Sequence, residues 1–398
     1  MFSKVNFYDL KSQINKKKIV LFGAGNIADK TLEKLDFKPT YIADNSPLAW
    51  GNYQNNVQII NPSRILKKKN VFFLITTTAF KEVGEQLENE GLKVNKDFNI
   101  SPILNDLLTI FDLENVKKNL IFSSGAQPHK DKRFGGGLYK MEINGDKWNY
   151  NKIHSGNCYG ITRVDNEIIC IDTNNGILKL DKNLDIKEIF KLKKGFRAHG
   201  ISYSKNTKKY YLACSYKDSI LVFNKDLKYL NEIKLRQKNN LDSAQLHIND
   251  CYAYQESLYV SMFSVTGNWK KDLFDGGIIE IDLKTQKIKN ILCNNLWMPH
   301  NVCFFDKSLH VLDSLRGHLK TNNLSIIGTF NAFTRGLDFD QKYYYVGQSK
   351  NRNHSKNVGL SNNISIDAGI VIFDPLSKAS RFLQVSPRLS EIHHLLLI

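Results

Sequence analysis

The sequence predicts two fold classes in one chain: an N-terminal α/β domain with a parallel sheet, and a C-terminal all-β propeller with six blades. Up to about residue 110, strand-like and helix-like runs alternate, which is typical of a parallel sheet with helices on its faces. Beyond residue 118, a unit of about four strand-like runs recurs six times with a period of roughly 35 to 58 residues. That pattern is typical of propeller blades.

These patterns divide the chain into a Rossmann-like domain at 1–105, a helical connector at 106–118 and a propeller at 119–398. The 398 residues are enough for two or three domains, and 42% apolar with 24% charged residues is ordinary for a globular protein. The net charge of +17 predicts attraction to anions. Because much of the excess is Lys scattered beside Asn, we expect solvated faces and no nucleic-acid partner, with an anionic small substrate as the alternative.

The cysteines and the termini bear on the compartment. Six cysteines lie mostly inside apolar strand-like runs without a Cys-x-x-Cys pair, which indicates core residues in a reducing environment. The N-terminus is polar, and the longest apolar runs are too short for a membrane span. We therefore expect a cytoplasmic protein without a membrane span.

The first strand-to-helix turn carries the clearest N-terminal motif. Residues 23–28, Gly-Ala-Gly-Asn-Ile-Ala, fit the pattern G-x-G-x-x-A between a buried strand and a helix. Gly23 permits the tight turn, Gly25 lets a diphosphate approach the backbone, and the helix N-terminus offers N–H groups to the anion. Asp44, 19 residues beyond Gly25, lies where an acidic residue would meet a ribose hydroxyl. The domain is short for a full dinucleotide-binding fold, so NAD(P) is the less favoured ligand.

Four short motifs distinguish the first 105 residues: Phe22-Gly23-Ala24-Gly25, Ile42-Ala43-Asp44-Asn45-Ser46, Trp50-Gly51 and Ile60-Asn61-Pro62. With them the segment resembles the small Rossmann-like domain of bacterial surface-polysaccharide proteins, including sugar-nucleotide acetyltransferases. The resemblance implies that a nucleotide or nucleotide sugar is bound here. Its contacts would be Gly23, Gly25, Asp44 and Asn45. A nicotinamide cofactor and a purely structural domain are the alternatives.

In the propeller, each repeat opens with polar residues at the start of a short strand, followed by a tight turn and a second, apolar strand. Aligning the repeats on the second strand brings six residues to the equivalent position: Tyr159, His199, Asn249, His300, Arg335 and His393. The last copy is only half present, at 392–398, and strand-like runs between 120 and 153 can supply its missing strands. Mixing the two ends in one blade would close the ring without an exposed edge pair.

The innermost strand of each propeller blade runs along the central channel, so the six aligned residues should meet at one mouth. His247, two residues before Asn249, shares its strand face. Neutral imidazoles suit Zn, Mn or Fe, and three of them with a water leave a position open for Lewis-acid chemistry. The predicted metal ligands are His199, His247, His300 and His393. A metal-free polar site and a structural role are the alternatives.

Other residues are candidates for substrate binding and proton transfer. The planar guanidinium of Arg335 suits a carboxylate or phosphate, with pairing to an acidic residue as the alternative. Asp250 is the best-placed carboxylate for proton transfer, and Tyr159 could act as an acid or pack. Trp269 could be a platform for a sugar ring, and Arg352 lies on an insertion that could cover the mouth. The predicted catalytic residues are Asp250, His300 and Tyr159, and the predicted substrate contacts are Arg335, Asn249, Asn301, Arg352 and Trp269.

The propeller motifs are Asp242 with Leu246-His247-Ile248-Asn249-Asp250, Met298-Pro299-His300-Asn301, Leu312-Asp313-Ser314, Phe333-Thr334-Arg335-Gly336-Leu337 and Val346 to Arg352. They are similar to those of a bacterial propeller family of unassigned function, often met beside glycan-modifying and sulfotransferase-type genes. We expect an intracellular enzyme of surface-glycan or sugar-nucleotide metabolism. It would use a divalent metal for elimination, epimerisation or hydrolysis of an anionic sugar. The alternatives are an NAD(P)-dependent sugar oxidoreductase and a non-catalytic propeller that binds a glycan or a partner.

Overall fold

The structure, a computed structural model, describes residues 2–14, 17–192, 195–236, 245–271, 273–352 and 363–398. Asp242 of the propeller motifs and His354 of the insertion lie outside the described residues. The chain divides into two compact units, residues 1–114 (unit 1) and 115–398 (unit 2).

Unit 1 is built on a six-stranded sheet in the order β3-β4-β2-β1-β5-β6. Its strands are β1 (Lys18–Phe22), β2 (Tyr41–Ala43), β3 (Tyr53–Gln54), β4 (Val57–Ile60), β5 (Val71–Ile75) and β6 (Phe98–Ile100). Neighbours run parallel except at the edge, where β3 and β4 are antiparallel. The sheet is therefore mixed, whereas the sequence predicted a parallel one. Asn55 and Asn56, with φ of 48° and 60°, form the two-residue turn that reverses the chain there.

Four helices pack on this sheet: α1 (Phe7–Ile14), α2 (Asn26–Lys34), α3 (Phe80–Asn89) and α4 (Asn105–Glu114). Successive residues of β1 enter two different cores: Ile19 and Leu21 pack with α1 and α2, and Val20 and Phe22 pack with α3 and with Leu108 of α4. Burial on both faces explains why β1 and β5 are continuous apolar runs. Within the described residues, none of the helices combines the length and the apolar character needed to cross a membrane.

Unit 2 is a six-bladed propeller, which confirms the predicted fold class of this region. The chain enters it through β7 (Lys117–Pro128), β8 (Gly135–Asn144) and β9 (Lys147–Ser155). Blade 1 contains β10 (Cys158–Val164), β11 (Glu167–Asp172), β12 (Gly176–Leu180) and β13 (Ile186–Phe190). Blade 2 contains β14 (Ala198–Ser204), β15 (Lys209–Cys214), β16 (Ser219–Asn224) and β17 (Tyr229–Lys234). Blade 3 contains β18 (Ile248–Tyr254), β19 (Ser257–Met262), β20 (Gly276–Asp282) and β21 (Ile288–Leu296).

Blade 4 contains β22 (His300–Phe305), β23 (Ser308–Asp313), β24 (His318–Thr321) and β25 (Ser325–Thr329). Blade 5 contains β26 (Phe333–Phe339), β27 (Tyr344–Ser349), β28 (Gly369–Phe373) and β29 (Ser380–Gln384). Blade 6 joins the last strand, β30 (His394–Leu397), to β7, β8 and β9. In that blade His394 pairs with Ser123 and Leu397 pairs with Leu120, so β30 covers the edge that β7 would otherwise expose.

The first strand of each blade is the innermost one. These six strands contact each other in a closed cycle, β10, β14, β18, β22, β26, β30 and back to β10. In five blades a β-bulge interrupts the pairing near the start of the innermost strand, between Cys158 and Ile161, Ala198 and Gly200, Ile248 and Asp250, His300 and Cys303, and Thr334 and Leu337. A bulge re-aims the side chains around it. Consecutive residues at these positions can therefore face different spaces along the axis.

Candidate functional site

A cavity of about 580 Å³ lies where the innermost strands begin, and we call it the mouth cavity. All six aligned residues line it, one from each blade, and we call them the first ring: Tyr159, His199, Asn249, His300, Arg335 and His393. His247, Trp269 and Arg352, which the sequence also predicted for this site, line it as well. Its volume is within the range of pockets that hold small organic ligands.

The imidazoles from four blades lie close together. The ring centroids of His199 and His393 are 5.2 Å apart, those of His300 and His393 are 5.8 Å apart, and those of His199 and His247 are 6.0 Å apart. Tyr159 stacks on His199 with a centroid distance of 4.5 Å and an interplanar angle of 13°. A phenol and several imidazoles thus share one wall.

Three of these imidazoles, those of His199, His300 and His393, are neutral at neutral pH. Burial lowers the pKa of His199, His300 and His393 well below the usual value, and the charge of Arg335 lowers it further. The Nδ1 atom of His300 lies 3.0 Å from the carbonyl oxygen of Met298, so Nδ1 carries the proton and Nε2 keeps its lone pair. A neutral imidazole with a free lone pair can accept a proton from a substrate.

Several buried polar atoms of the mouth cavity have no hydrogen-bond partner within the described part of the chain. They are both ring nitrogens of His199, Nδ1 of His393, Oδ1 of Asn249 and Nε of Arg335. Leaving one buried polar group unsatisfied costs about 1–3 kcal/mol, so native proteins rarely leave several together. Their clustering in one cavity indicates a site that is completed by a polar ligand or by water.

The charged residues of the lining are four arginines, Arg197, Arg335, Arg352 and Arg388, and one carboxylate, Glu391. With neutral imidazoles, the described lining carries a formal charge of +3. Both Arg335 and Arg352 form ion pairs with Glu391. Burial by itself would raise the pKa of Glu391, but the charges of these two arginines outweigh it and lower the pKa. The mouth cavity is therefore suited to an anion.

The anion-binding potential of the arginines differs. Arg335, the arginine that the sequence singled out, is paired with Glu391, which is the alternative left open for it. Arg388 is paired with Asp131, with 3.7 Å between its guanidinium nitrogen and the carboxylate oxygen. Among the described residues Arg197 forms no ion pair, although its charge acts on Glu391 and on the Tyr159 hydroxyl. It stacks over the ring of Tyr216, 4.9 Å from its centroid. Of the four arginines, Arg197 is therefore the one whose guanidinium is not already held by a carboxylate in the described part of the chain.

Backbone strain accompanies the site. Arg197, His247 and Met298 adopt φ values of 47°, 51° and 52°, in the left-handed region that side-chain-bearing residues rarely occupy. Each lies two residues before a first-ring residue. Such conformations cost on the order of 1–3 kcal/mol and cluster at functional sites.

One side of the mouth cavity is aromatic. The ring of His247 stacks on Phe263 at 4.3 Å and meets Trp269 at 4.7 Å between centroids. Phe333 also lines the cavity, 5.5 Å from the ring of His300. Flat apolar faces beside polar groups suit a sugar ring, whose two faces carry C–H groups.

The donor types of the predicted metal ligands suit a divalent metal, but their spacing does not. Among the described residues, the group of three that brings possible ligand atoms within 4.8 Å of one another is His154, Cys158 and Asp172, outside the first ring. The excess positive charge of the mouth cavity also opposes a dication. As arranged, the four histidines do not form a preformed metal site.

The His154, Cys158 and Asp172 group serves the fold. The Asp172 carboxylate accepts hydrogen bonds from Nε2 of His154 at 2.7 Å and from the side-chain amide of Asn175 at 2.7 Å. It also accepts from the backbone N–H of Asn174 at 2.9 Å. These donors occupy the oxygens that a metal would need, and they give Asp172 the role of a turn-capping residue.

Asp250 and Asn301 face a different space. They line a second cavity of about 210 Å³ further along the innermost strands, which we call the channel cavity, and they do not contribute to the described lining of the mouth cavity. The bulges in β18 and β22 separate them from Asn249 and His300, which precede them in the chain. Burial raises the pKa of Asp250 to about 7 and that of Asp338, in the same cavity, to about 6.

Sequence reasoning missed Arg197, Met298, Phe333 and Glu391, all of which line the mouth cavity. Each lies two residues before a first-ring residue, as His247 lies two residues before Asn249. Applying the rule used for His247 to every repeat would have identified them. Asp218 is a further omission, because its carboxylate accepts the backbone N–H groups of Leu246 and His247 at 3.1 and 3.0 Å and so fixes the position of His247.

In unit 1 the predicted ligand residues lie together at the ends of β1 and β2. The Asp44 carboxylate accepts the backbone N–H of Ala24 at 2.7 Å and that of Ser46 at 2.7 Å. The side chain of Asn45 pairs with the amide of Gln86 at 2.8 Å. Gly23 has φ of 112°, and a Cβ there would lie 2.9 Å from Cβ of Thr77, so packing requires this glycine. Asp44 thus bridges the loop at Ala24 and the segment at Ser46.

Comparisons with known proteins give a family match for part of the chain. Residues 238–398 match the model of a domain of unknown function, DUF4915. No curated protein matches the chain. A protein of unknown function from Bacteroides caccae shares 13% identity over 71% of this chain and 99% of its own, with a TM-score of 0.49.

Two further solved structures are similar at about the same level. A "putative gluconolactonase" shares 12% identity over 58% of this chain and 78% of its own, with a TM-score of 0.42. The hydrazine synthase of Kuenenia stuttgartiensis shares 12% identity over 57% of this chain and 66% of its own, with a TM-score of 0.38. Similarity this low carries no argument about chemistry. The family match therefore covers blades 3, 4 and 5 and strand β30, and assigns no activity to them.

Proposed function

We propose that this protein is an enzyme that binds an anionic sugar in the mouth cavity and transfers a proton at the carbon next to the sugar carboxylate. The reaction is elimination or epimerisation. One observation supports this most: a surplus of guanidinium groups surrounds neutral imidazoles whose nitrogens lack partners. Proton abstraction beside a carboxylate needs both a base and positive charge.

Binding would use side chains that still have unused hydrogen-bond donors or acceptors. Arg197 would take the carboxylate, because a guanidinium binds a carboxylate through two parallel hydrogen bonds. Asn249, whose Oδ1 lacks a partner, would accept a hydrogen bond from a sugar hydroxyl. The sugar ring would rest against Trp269 and Phe263. Each interaction satisfies a group that the unliganded cavity leaves open.

In the reaction, His199 or His393 would take the proton from the carbon next to the carboxylate. The electron pair moves into the carboxylate, and the guanidinium groups stabilise the resulting enolate. In elimination, the bond from the neighbouring carbon to its oxygen substituent breaks, a double bond forms, and Tyr159 protonates the leaving oxygen. In epimerisation, a proton returns to the same carbon from the other face. Burial raises the pKa of Tyr159, which keeps it protonated at neutral pH.

Hydrolysis of a glycosidic bond is less well supported. That reaction generally uses two carboxyl groups, and the described lining of the mouth cavity contains Glu391 alone. Glu391 is ionised and bound to two arginines, so it is a poor proton donor. A mechanism that relies on paired carboxylates therefore lacks its second group in this lining.

A metal-assisted version is the second candidate, because ring nitrogens of His199 and His393 have no partner in the described structure. His199, His300 and His393 are the residues that would hold the metal, but their ring nitrogens would first have to come closer together than they are in this structure. A metal held there would supply Lewis-acid stabilisation of an oxyanion. A nucleotide sugar in unit 1 is a separate prediction, as is an NAD(P)-dependent reaction.

The test is hydrogen exchange into the substrate. The full-length protein is incubated in D2O with D-glucuronate, D-galacturonate and uronate-containing oligosaccharides, and deuterium at the carbon next to the carboxylate is followed by NMR. The ultraviolet absorbance of an unsaturated product reports elimination. We expect exchange or conversion, lowered about 10²- to 10⁴-fold in His199→Gln, and we expect elimination to be lowered to a similar extent in Tyr159→Phe. His318→Gln, on the third strand of blade 4, is the control.

Three outcomes separate the candidates. Conversion that survives chelation of metals supports the metal-free reaction, and conversion that chelation abolishes supports the metal-assisted one. Binding of uronates without exchange or conversion would instead support a non-catalytic glycan-binding propeller. If neither binding nor exchange occurs with any uronate, the proposed function is wrong.

A further inference from the structure

A second ring of residues lies directly behind the first. The residue that follows each first-ring residue comes close to its counterpart in a neighbouring blade, and these six form the second ring: Gly160, Gly200, Asp250, Asn301, Gly336 and His394. A Cβ at Gly200 would lie 2.6 Å from Cα of Asp250, and one at Gly336 would lie 3.0 Å from the carbonyl carbon of His394. The innermost strands are therefore packed backbone to backbone at this level, with room for three side chains.

Asn301 connects those three side chains and a neighbouring backbone. Its side-chain Nδ2 lies 3.1 Å from Oδ2 of Asp250 and 3.1 Å from Nδ1 of His394. Its Oδ1 accepts the backbone N–H of Gly336 at 2.6 Å. The amide of Asn301 in blade 4 thus reaches blades 3, 5 and 6 at once.

The contacts of Asn301 also set its orientation. A backbone N–H can only donate, so the oxygen of the amide faces Gly336 and the nitrogen faces the other two groups. The nitrogen then donates to a carboxylate oxygen of Asp250 and to an unprotonated nitrogen of His394. Burial lowers the pKa of His394 to about 4, which agrees with an unprotonated ring. Asn301 has φ of 52°, a left-handed conformation that asparagine adopts more readily than most residues.

We propose that Asn301 is the positioning residue of the mouth cavity, because its amide fixes the strands that carry Asn249, Arg335 and His393 relative to His300. Each partner of Asn301 directly follows one of those first-ring residues in the chain. A shift of the amide therefore moves the neighbouring side chains in the mouth cavity. The sequence assigned Asn301 to substrate binding, whereas its amide contacts lie in the channel cavity. The effect on ligand binding rests on the proposed function, and the effect on the ring geometry does not.

The test exchanges the amide of Asn301 and the carboxylate of Asp250 between the two positions. Asn301→Asp keeps the acceptor for Gly336 but places a second carboxylate against Asp250, which breaks the donated hydrogen bond. The double variant Asp250→Asn/Asn301→Asp restores one amide and one carboxylate in the opposite order. His394 can carry its proton on Nδ1 and donate it to the carboxylate at position 301. Asn301→Ala removes the contacts without adding charge and serves if Asn301→Asp does not fold.

Two readouts are measured on the full chain. NMR of isotope-labelled histidine side chains reports geometry, and calorimetry with D-glucuronate reports binding. In Asn301→Asp we expect the signals of His300 and His393 to move, the signal of His318 to stay, and affinity to fall at least tenfold. The double variant should recover most of both changes, which a generally damaged fold would not do.

The outcomes distinguish this proposal from the proposed function. Unchanged His300 and His393 signals in folded Asn301→Asp or Asn301→Ala would overturn the positioning role. The positioning role is also overturned if the double variant recovers neither the histidine signals nor the affinity. The hydrogen bond between positions 250 and 301 would then not determine the geometry of the first ring. If the signals move and recover as expected but wild type does not bind D-glucuronate, the positioning role stands and the choice of substrate is wrong.

Discussion

The Glu391 carboxylate forms an ion pair with the guanidinium of Arg335 from the neighbouring blade, and both side chains are nearly buried. Removing one partner of a buried pair leaves the other charge without compensation, which costs about 3–5 kcal/mol. We therefore expect Glu391→Gln to lower the free energy of unfolding by about 3 kcal/mol, measured by denaturant titration. Added sulfate should restore part of the loss, because an anion can replace the carboxylate.

The matched control for Glu391 is an exposed pair. The side chains of Lys11 and Asp36 also form an ion pair but are 57% and 62% exposed. Asp36→Asn should change the free energy of unfolding by less than about 0.5 kcal/mol, since exposed pairs contribute little. Equal losses in the two variants would show that burial does not decide the strength of the Arg335–Glu391 pair.

The raised pKa of Asp250, about 7, makes stability depend on pH. Between its unfolded value of 3.8 and about 7, the native state holds a proton on Asp250 that the unfolded state has lost. Stability therefore falls as the pH rises through this window, by up to about 4 kcal/mol. Asp250→Asn removes this loss. We expect the variant to gain roughly 2–3 kcal/mol on wild type between pH 5 and pH 8.

The comparison with wild type is needed because buried histidines act with the opposite sign. His300 stays unprotonated while the unfolded state takes up protons below its ordinary pKa of 6.5, so its contribution is lost on acidification. That contribution cancels in the difference between variant and wild type. The groups beside it in the channel cavity are His394, whose Nδ1 lies 3.8 Å from Oδ2 of Asp250, with Asp338 and Arg163. The cavity also holds Cys251, Tyr252 and Cys303, whose raised pKa values keep them protonated in this range. A difference that does not vary with pH would show that Asp250 titrates normally.

Arg197 should carry most of the affinity for an anion. Arg197→Gln is expected to weaken D-glucuronate binding at least tenfold and to leave binding of neutral D-glucose unchanged, because only the carboxylate uses the guanidinium. Isothermal titration at two salt concentrations checks this, and the salt dependence should shrink in the variant. Arg381→Gln, on the outer strand β29, is the control. If Arg197→Gln binds D-glucuronate as wild type does, the anion occupies another position.

Asp44 should act as a structural bridge. Asp44→Ala removes the acceptor for the backbone N–H groups of Ala24 and Ser46, and each such bond to a charged group contributes about 1.5–3 kcal/mol. We expect faster amide hydrogen exchange at Ala24 and Ser46, measured by mass spectrometry of that segment. Asp44→Asn, which keeps one acceptor oxygen, should be intermediate. NAD should not protect these amides in wild type, and protection would revive the dinucleotide prediction.

The repeat pattern predicted the fold of unit 2 well because propeller blades repeat the same burial pattern. Aligning Tyr159, His199 and His300 on their second strands identified residues that line one cavity, since equivalent positions in a ring lie at the same height. The alignment failed one residue later, at Asp250 and Asn301. It counted side chains as if the strands were regular, and the bulges change which way consecutive residues face.

Other features depend on contacts and turns that no periodic pattern in the sequence indicates. The pairing of Arg335 with Glu391 joins residues 56 apart in sequence, and no local pattern indicates it. The antiparallel edge of unit 1 depends on a turn at Asn55 and Asn56. An Asn-Asn pair is a weaker hairpin signal than Asn-Gly, so the sequence did not predict this turn. The ligand role of Asp44 stays a prediction. An acidic residue after the second strand fits a ribose, but it fits two backbone N–H groups equally well.

The second ring also determines how molecules can travel. The side chains of Asp250, Asn301 and His394 contact one another at a level where the innermost strands are packed through glycine backbones. The central channel is therefore closed at the second ring. A polysaccharide cannot thread through such a ring. Under the proposed function, substrate would enter and product would leave on the mouth side of the second ring. A bound product would then block the next substrate.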